Sequence, residues 1–219
     1  PTSCAKTSLN LKLQFWTNRG FAVIDINHRG STGFGRKFRN SLYLNWGLFD
    51  LQDIESAVRH VIDKGLVDPA KVAIRGGSAG GYSVMAALSK SSLFAAGVSY
   101  YGVSDLEVLT QGTHKFESRY LDQLIGPYPE ARDVYLARSP IYNIDKINSP
   151  LMLLQGLEDK VVPSDQAEGI RKKLKQKGVD VRYIPFAGEG HGFRQLRNQV
   201  LALDSELSFY REVLKLGCT

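Results

Sequence analysis

Cysteine is scarce in this chain. Cys4 and Cys218 are the only two, one near each end. Neither sits in a C-x-x-C or zinc-ligand spacing, so dithiol redox chemistry and a cysteine-held metal are not expected. A reduced, cytoplasmic compartment is the expectation, with a single bridge between the termini as the alternative. Long hydrophobic runs are also missing. No stretch approaches the ~20 apolar residues needed to cross a bilayer, and no signal peptide opens the chain. Repeats and low-complexity tracts are absent. The length of 219 residues suits one domain spanning 1–219, with a sizeable core. An excess of positive charge, +6, raises the question of nucleic acid. The basic residues are scattered, however. Their densest group, Arg171-Lys172-Lys173 with Lys175 and Lys177, lies on a helical pattern whose inward positions are Ile170 and Leu174. That is a solvated helix face without an aromatic platform, and nucleic-acid binding is not expected.

What is present centres on Gly76-Gly77-Ser78-Ala79-Gly80-Gly81. An apolar run, Lys71 to Arg75, leads in, and a helix-like run, Tyr82 to Lys90, leads out. Strand, sharp turn and helix form the context of the G-x-S-x-G nucleophile elbow. The serine stands at the tip on a strained backbone. Small residues two positions either side, Gly76 and Gly80, let strand and helix approach. The helix N-terminus then points free N–H groups at the reaction centre, making the Ala79 N–H an oxyanion donor. No Lys-Ser or Lys-Thr follows, as a P-loop requires.

The rest of the chain alternates strands with helices. Leu9, Leu13 and Trp16 mark a helix stopped by Gly20, and Phe21–Ile26 reads as a strand. Asp50 is the expected N-cap of a helix with Ile54, Val58, Val61 and Ile62 on its buried stripe, closed by Gly65. Strands are expected at 71–75, 94–100, 151–155 and 181–186, and helices at 164–177 and 195–216. Residues 102–149 are less regular. The pattern is α/β with a mainly parallel sheet, and chemistry in such sheets sits at the carboxyl ends of strands.

A serine hydroxyl needs a base and an acid to become a nucleophile. In the α/β-hydrolase arrangement the chain order is serine, acid, histidine. Of the four histidines only His191 follows strand 151–155, and it lies between glycines in a strand-end loop. His60 falls in a helix and His114 in the irregular middle, both as solvent-facing residues. The acid is expected after strand 151–155. Asp159 is the choice, Glu158 its neighbour and rival, and Asp105 the candidate one strand earlier.

Asn27-His28-Arg29-Gly30-Ser31-Thr32-Gly33, Gly76 to Tyr82, Ser139-Pro140, Leu154 to Pro163 and Gly190-His191-Gly192-Phe193 occur in the order seen in one family. Together they resemble the catalytic domain of the prolyl oligopeptidase family of serine peptidases, in its dipeptidyl-peptidase-like and acylaminoacyl-peptidase-like branch. The resemblance implies an α/β-hydrolase fold with helices on both faces of the sheet. It implies a Ser78–Asp159–His191 triad, the Ala79 N–H as oxyanion donor, and hydrolysis of short peptides without metal or organic cofactor. It places the specificity pocket in Gly102 to Tyr120, with Val103, Leu106 and Leu109, and also Tyr82, as candidate pocket residues. His28 stands where the family usually has tyrosine and is expected to serve local packing. The family also has an upstream β-propeller, and first strands ending in a turn that supplies a second oxyanion donor. Pro1-Thr2-Ser3 looks like the tail of that turn, so the resemblance implies a chain lacking those strands. An esterase of the same fold and a non-catalytic interaction domain are the alternatives. Homo-oligomerisation is left open.

Overall fold

The computed structural model describes residues 1–112 and 119–217. His114 and Cys218 lie outside the described residues. Four strands, β1 (Ala73–Gly77), β2 (Ala96–Tyr100), β3 (Leu151–Gly156) and β4 (Val181–Phe186), form one sheet in the order β1-β2-β3-β4. Every neighbouring pair is parallel. The helices are α1 (Leu11–Thr17), α2 (Gly35–Asn40), α3 (Phe49–Asp63), α4 (Ala79–Lys90), α5 (Leu106–Gly112), α6 (Tyr120–Leu124), α7 (Arg132–Arg138), α8 (Ser164–Lys177) and α9 (Leu196–Val213). Among the described residues no helix is long and apolar enough to cross a membrane.

Side-chain alternation divides the core between the two sheet faces. β3 is buried along its whole length. Leu151 and Leu153 join the core that contains Val84 and Leu88 of α4 and Ile170 and Leu174 of α8. Met152 and Leu154 join the opposite core with Trp16 of α1 and Phe209 and Tyr210 of α9. A strand with no polar face is what a parallel sheet covered on both sides requires. The expected fold class, α/β with helices on both faces, is the observed one.

Two expectations are corrected. Residues 21–26 form no strand. β1 has β2 as its sheet neighbour, and an apolar slot of about 200 Å³ is lined by Phe21, Val23, Ile24 and Ile26 and by Ile74 and Arg75 of β1. An apolar run becomes a strand only when a ladder partner lies alongside, and here the slot intervenes. Asp50 is not the N-cap of α3, a position held by Leu48. It sits inside the first turn, buried, and its Oδ1 accepts the Gly47 N–H at 2.6 Å. That N–H precedes the N-cap, so the bond ties the helix to the segment ahead of it and satisfies none of the helix's own free N–H groups. Burial pushes the Asp50 pKa up, against the pull of that hydrogen bond and of His28. The C-terminal end of α3 is as expected, with Gly65 in the left-handed region at φ 67°.

Candidate active site

β1 ends at Gly77 and α4 begins at Ala79, so the reversal falls on one residue, Ser78. Its φ of 56° and ψ of −118° lie outside the ordinary regions, a strain on the order of 1–3 kcal/mol that surrounding bonds must hold. The Ser78 N–H donates to Tyr100 O at 2.9 Å, and Ser78 O accepts the Tyr82 N–H at 3.0 Å. Gly76 makes the turn fit. A Cβ there would lie 2.5 Å from the backbone C and O of Gly80. A Cβ on Gly80 itself meets nothing within 4 Å, so of the two glycines expected to be forced by the elbow, only Gly76 is. Ala79 is the first residue of α4, and its N–H is one of those the helix leaves unpaired.

The loop after β3 carries the acid. Asp159 is 6% exposed. Its Oδ1 accepts the N–H groups of Val161 at 2.8 Å and Val162 at 2.9 Å, and its Oδ2 accepts Gln155 Nε2 at 3.3 Å. His191, in the loop after β4, completes the set. Its Nδ1 is 2.9 Å from Asp159 Oδ2 and its Nε2 is 2.8 Å from Ser78 Oγ. Burial pushes the Asp159 carboxyl up, but the hydrogen bonds from His191, Val162 and Val161 outweigh it and hold the pKa below the usual 3.8. An ionised carboxylate only accepts, so Nδ1 carries the proton and Nε2 offers its lone pair to the serine hydroxyl. Three strand ends, those of β1, β3 and β4, thus converge on one line of hydrogen bonds.

The other candidates lie elsewhere. Glu158 is exposed. Asp105 caps α5, accepting the N–H groups of Glu107 at 2.9 Å and Val108 at 3.3 Å, and takes a hydrogen bond from the Tyr142 hydroxyl. His60 is exposed on α3, and His28 Nδ1 lies 2.8 Å from Arg29 O. Three of the four candidate pocket residues are corrected. Tyr82 is 0% exposed on the inner side of α4, with its ring 4.6 Å from Trp46 and its hydroxyl donating to Arg138 O. Leu106, also 0% exposed, opens α5 with its N–H on Ser139 Oγ. Neither presents surface to a substrate. Val103 is buried as well, while Leu109 is partly exposed at the edge of the same core.

Sequence reasoning missed Tyr101 and Gln155. Tyr101, at a left-handed φ of 38°, sets its ring edge-on to His191 at 4.9 Å and against Phe193 at 5.6 Å. Its place just past β2 was the available signal, because strand ends are where such sheets put their chemistry. Gln155 is buried, and its amide also donates to Gly156 O and Val162 O, fixing the acid loop. Among the described residues no cluster of three or more His, Cys, Asp or Glu side chains has metal-site geometry.

A sequence profile described as "Prolyl oligopeptidase family" matches residues 7–217. The chain belongs to the prolyl oligopeptidase family. Relatives in this family include "Dipeptidyl peptidase family member 6" of Caenorhabditis elegans, 34% identical over 84% of this chain and 26% of its own length. "Dipeptidyl aminopeptidase BIII" of Pseudoxanthomonas mexicana is 35% identical over 84% of this chain and 28% of its own length. Among solved structures, a puromycin-hydrolyzing peptidase of Mycobacterium tuberculosis superposes with a TM-score of 0.97 at 44% identity, covering 99% of this chain and 33% of that one. The chain therefore spans between a quarter and a third of the length of these prolyl oligopeptidase relatives.

Proposed function

We propose that this chain carries the catalytic site of a serine peptidase that hydrolyses short peptides through an acyl-enzyme. The observation that carries this reading is the continuous Ser78–His191–Asp159 hydrogen-bond line, at 2.8 Å and 2.9 Å. Ser78 Oγ attacks the carbonyl carbon while His191 Nε2 takes its proton. The Ala79 N–H, at the N-terminus of α4, donates to the oxyanion as it forms. His191, now protonated on both nitrogens and carrying one positive charge, is stabilised by Asp159 and returns the proton to the leaving amine. Water then repeats the cycle on the ester, with His191 again as base. Leu109 is the candidate pocket residue with side-chain surface to offer.

A β-propeller elsewhere in the intact protein, implied by the family, would restrict access to short substrates. The greater length of the relatives supports this part of the reading. The test is Ser78→Ala in the intact protein, assayed with a fluorophosphonate label and with aminoacyl-anilides, p-nitrophenyl esters and puromycin. Loss of a triad nucleophile costs on the order of 10⁶ in turnover. Activity within tenfold of the parent would remove Ser78 from the mechanism. Hydrolysis of esters alone would move the assignment to an esterase.

A further inference from the structure

The loop that delivers His191 holds an acidic side chain to which the triad gives no part. Glu189 lies two residues before His191 and is 2% exposed. Its Oε2 accepts the Arg194 N–H at 2.9 Å, and its Oε1 accepts the Gln195 N–H at 2.9 Å and Asn198 Nδ2 at 2.8 Å. Its backbone oxygen accepts the Glu158 N–H at 2.9 Å, in the loop that carries Asp159. One residue therefore joins the start of the His191 loop, the end of that loop, the first turn of α9 and the acid loop. The Gln195 side chain closes the same ring from the far side, donating to Gly188 O at 3.2 Å.

The geometry around His191 depends on this closure. Gly188 and Gly192 both take left-handed φ values, 74° and 107°, so the backbone on either side of the imidazole has the freedom of glycine. Gly190 and Gly192 pair across His191 as an antiparallel bridge, turning the chain back at that residue. A Cβ on Gly156 would meet Gly190 O at 2.4 Å, so the acid loop and the histidine loop are already in contact there. Such a glycine-flanked turn keeps one position only if its two ends are fixed. The Glu189 carboxylate fixes them by binding three donors on the far side, and its negative charge sits at the N-terminus of an 18-residue helix, where it is favoured.

We infer that Glu189 is a positioning residue for His191, holding the imidazole between Ser78 and Asp159. The inference rests on His191 acting as the base in the proposed reaction. Glu189 touches neither the hydroxyl nor the imidazole, so its loss shows in kcat and leaves KM where it was. A misplacement of the base by about 1 Å costs on the order of 10²-fold, and that is the loss expected for Glu189→Ala. Glu189→Gln keeps one acceptor oxygen and turns an amide NH₂ toward the remaining donors, so its loss falls between Glu189→Ala and the parent.

Both variants are made in the intact protein alongside Ser78→Ala. Fluorophosphonate labelling rate, kcat and KM on an aminoacyl-anilide, and thermal melting are measured for each. The expected result is folded variants whose labelling rate and kcat fall in that order, with KM unchanged. A folded Glu189→Ala protein with kcat within threefold of the parent overturns the inference, as does a loss confined to KM. Failure of both variants to fold also overturns it, since the role would then be global. If the parent is labelled and Ser78→Ala is not, these outcomes bear on Glu189 alone. Equal labelling of Ser78→Ala overturns the peptidase reading, and this inference with it.

Discussion

Replacing Asp159 by asparagine is the sharpest test of the site, because the structure dictates how the amide must lie. Oδ1 faces two backbone donors, the N–H groups of Val161 and Val162. The asparagine oxygen must take that place, since an NH₂ there would oppose both. The NH₂ then occupies the position of Oδ2, opposite Gln155 Nε2 and His191 Nδ1. His191 can satisfy it only by offering a lone pair from Nδ1, which moves the ring proton to Nε2 and turns it toward Ser78 Oγ. The base is then protonated at the atom that should accept. A wrong tautomer of this kind costs roughly 10⁴ in kcat, about 5 kcal/mol in the barrier. Steady-state hydrolysis of an aminoacyl-anilide measures it, with Glu158→Gln and Asp105→Asn as controls that should stay near the parent. A loss below tenfold in Asp159→Asn, or an equal loss in Glu158→Gln, refutes the reasoning. The pH dependence has a definite sign. The folded pKa of Asp159 lies below its ordinary 3.8, so the stability it contributes is present above that value and is lost as pH falls through the lowered one. Asp159→Asn should therefore flatten the acid limb of a stability–pH curve.

Two further predictions concern the frame. Gly76→Ala should destabilise by about 1–3 kcal/mol, since the added methyl overlaps the Gly80 backbone, whereas Gly80→Ala, with open space around the methyl, should cost no stability; urea midpoints compare them, and equal midpoints would contradict the packing argument. Arg75 pairs with the fully buried Glu206 at 2.7 Å and 3.0 Å, and the Tyr100 hydroxyl donates to the same carboxylate. Arg75→Met should cost about 3 kcal/mol by leaving that charge unpaired, and adding Glu206→Leu should recover part of it; a double variant less stable than Arg75→Met, by chemical denaturation, would count against this.

Much of this architecture was legible in the chain because its signals are local. β4 and α8 run over the residues their periodicity marks, 181–186 and 164–177. The site was legible for a different reason. Ser78 is bracketed by glycines between a strand and a helix, and His191 is the one histidine that follows strand 151–155, whose loop offers Glu158 and Asp159. What was not legible depends on distant neighbours. Phe21–Ile26 has the composition of a strand, but composition carries no record of whether a partner lies alongside. Tyr82 follows the elbow in sequence yet points into the core toward Trp46, an orientation set by packing between remote segments. Glu189 looks like any acid in a polar loop until the fold brings the first turn of α9 back to it.

The order β1-β2-β3-β4 has a consequence for how the site comes apart. Ser78 follows β1, Asp159 follows β3 and His191 follows β4, so no one strand carries two of the three groups. Loops at strand ends open locally at free energies below that of global unfolding. Each such fluctuation separates the hydroxyl or the imidazole from the carboxylate while most of the molecule stays folded. In a denaturant titration, then, hydrolysis should disappear before the fluorescence of the buried Trp16 and Trp46 changes.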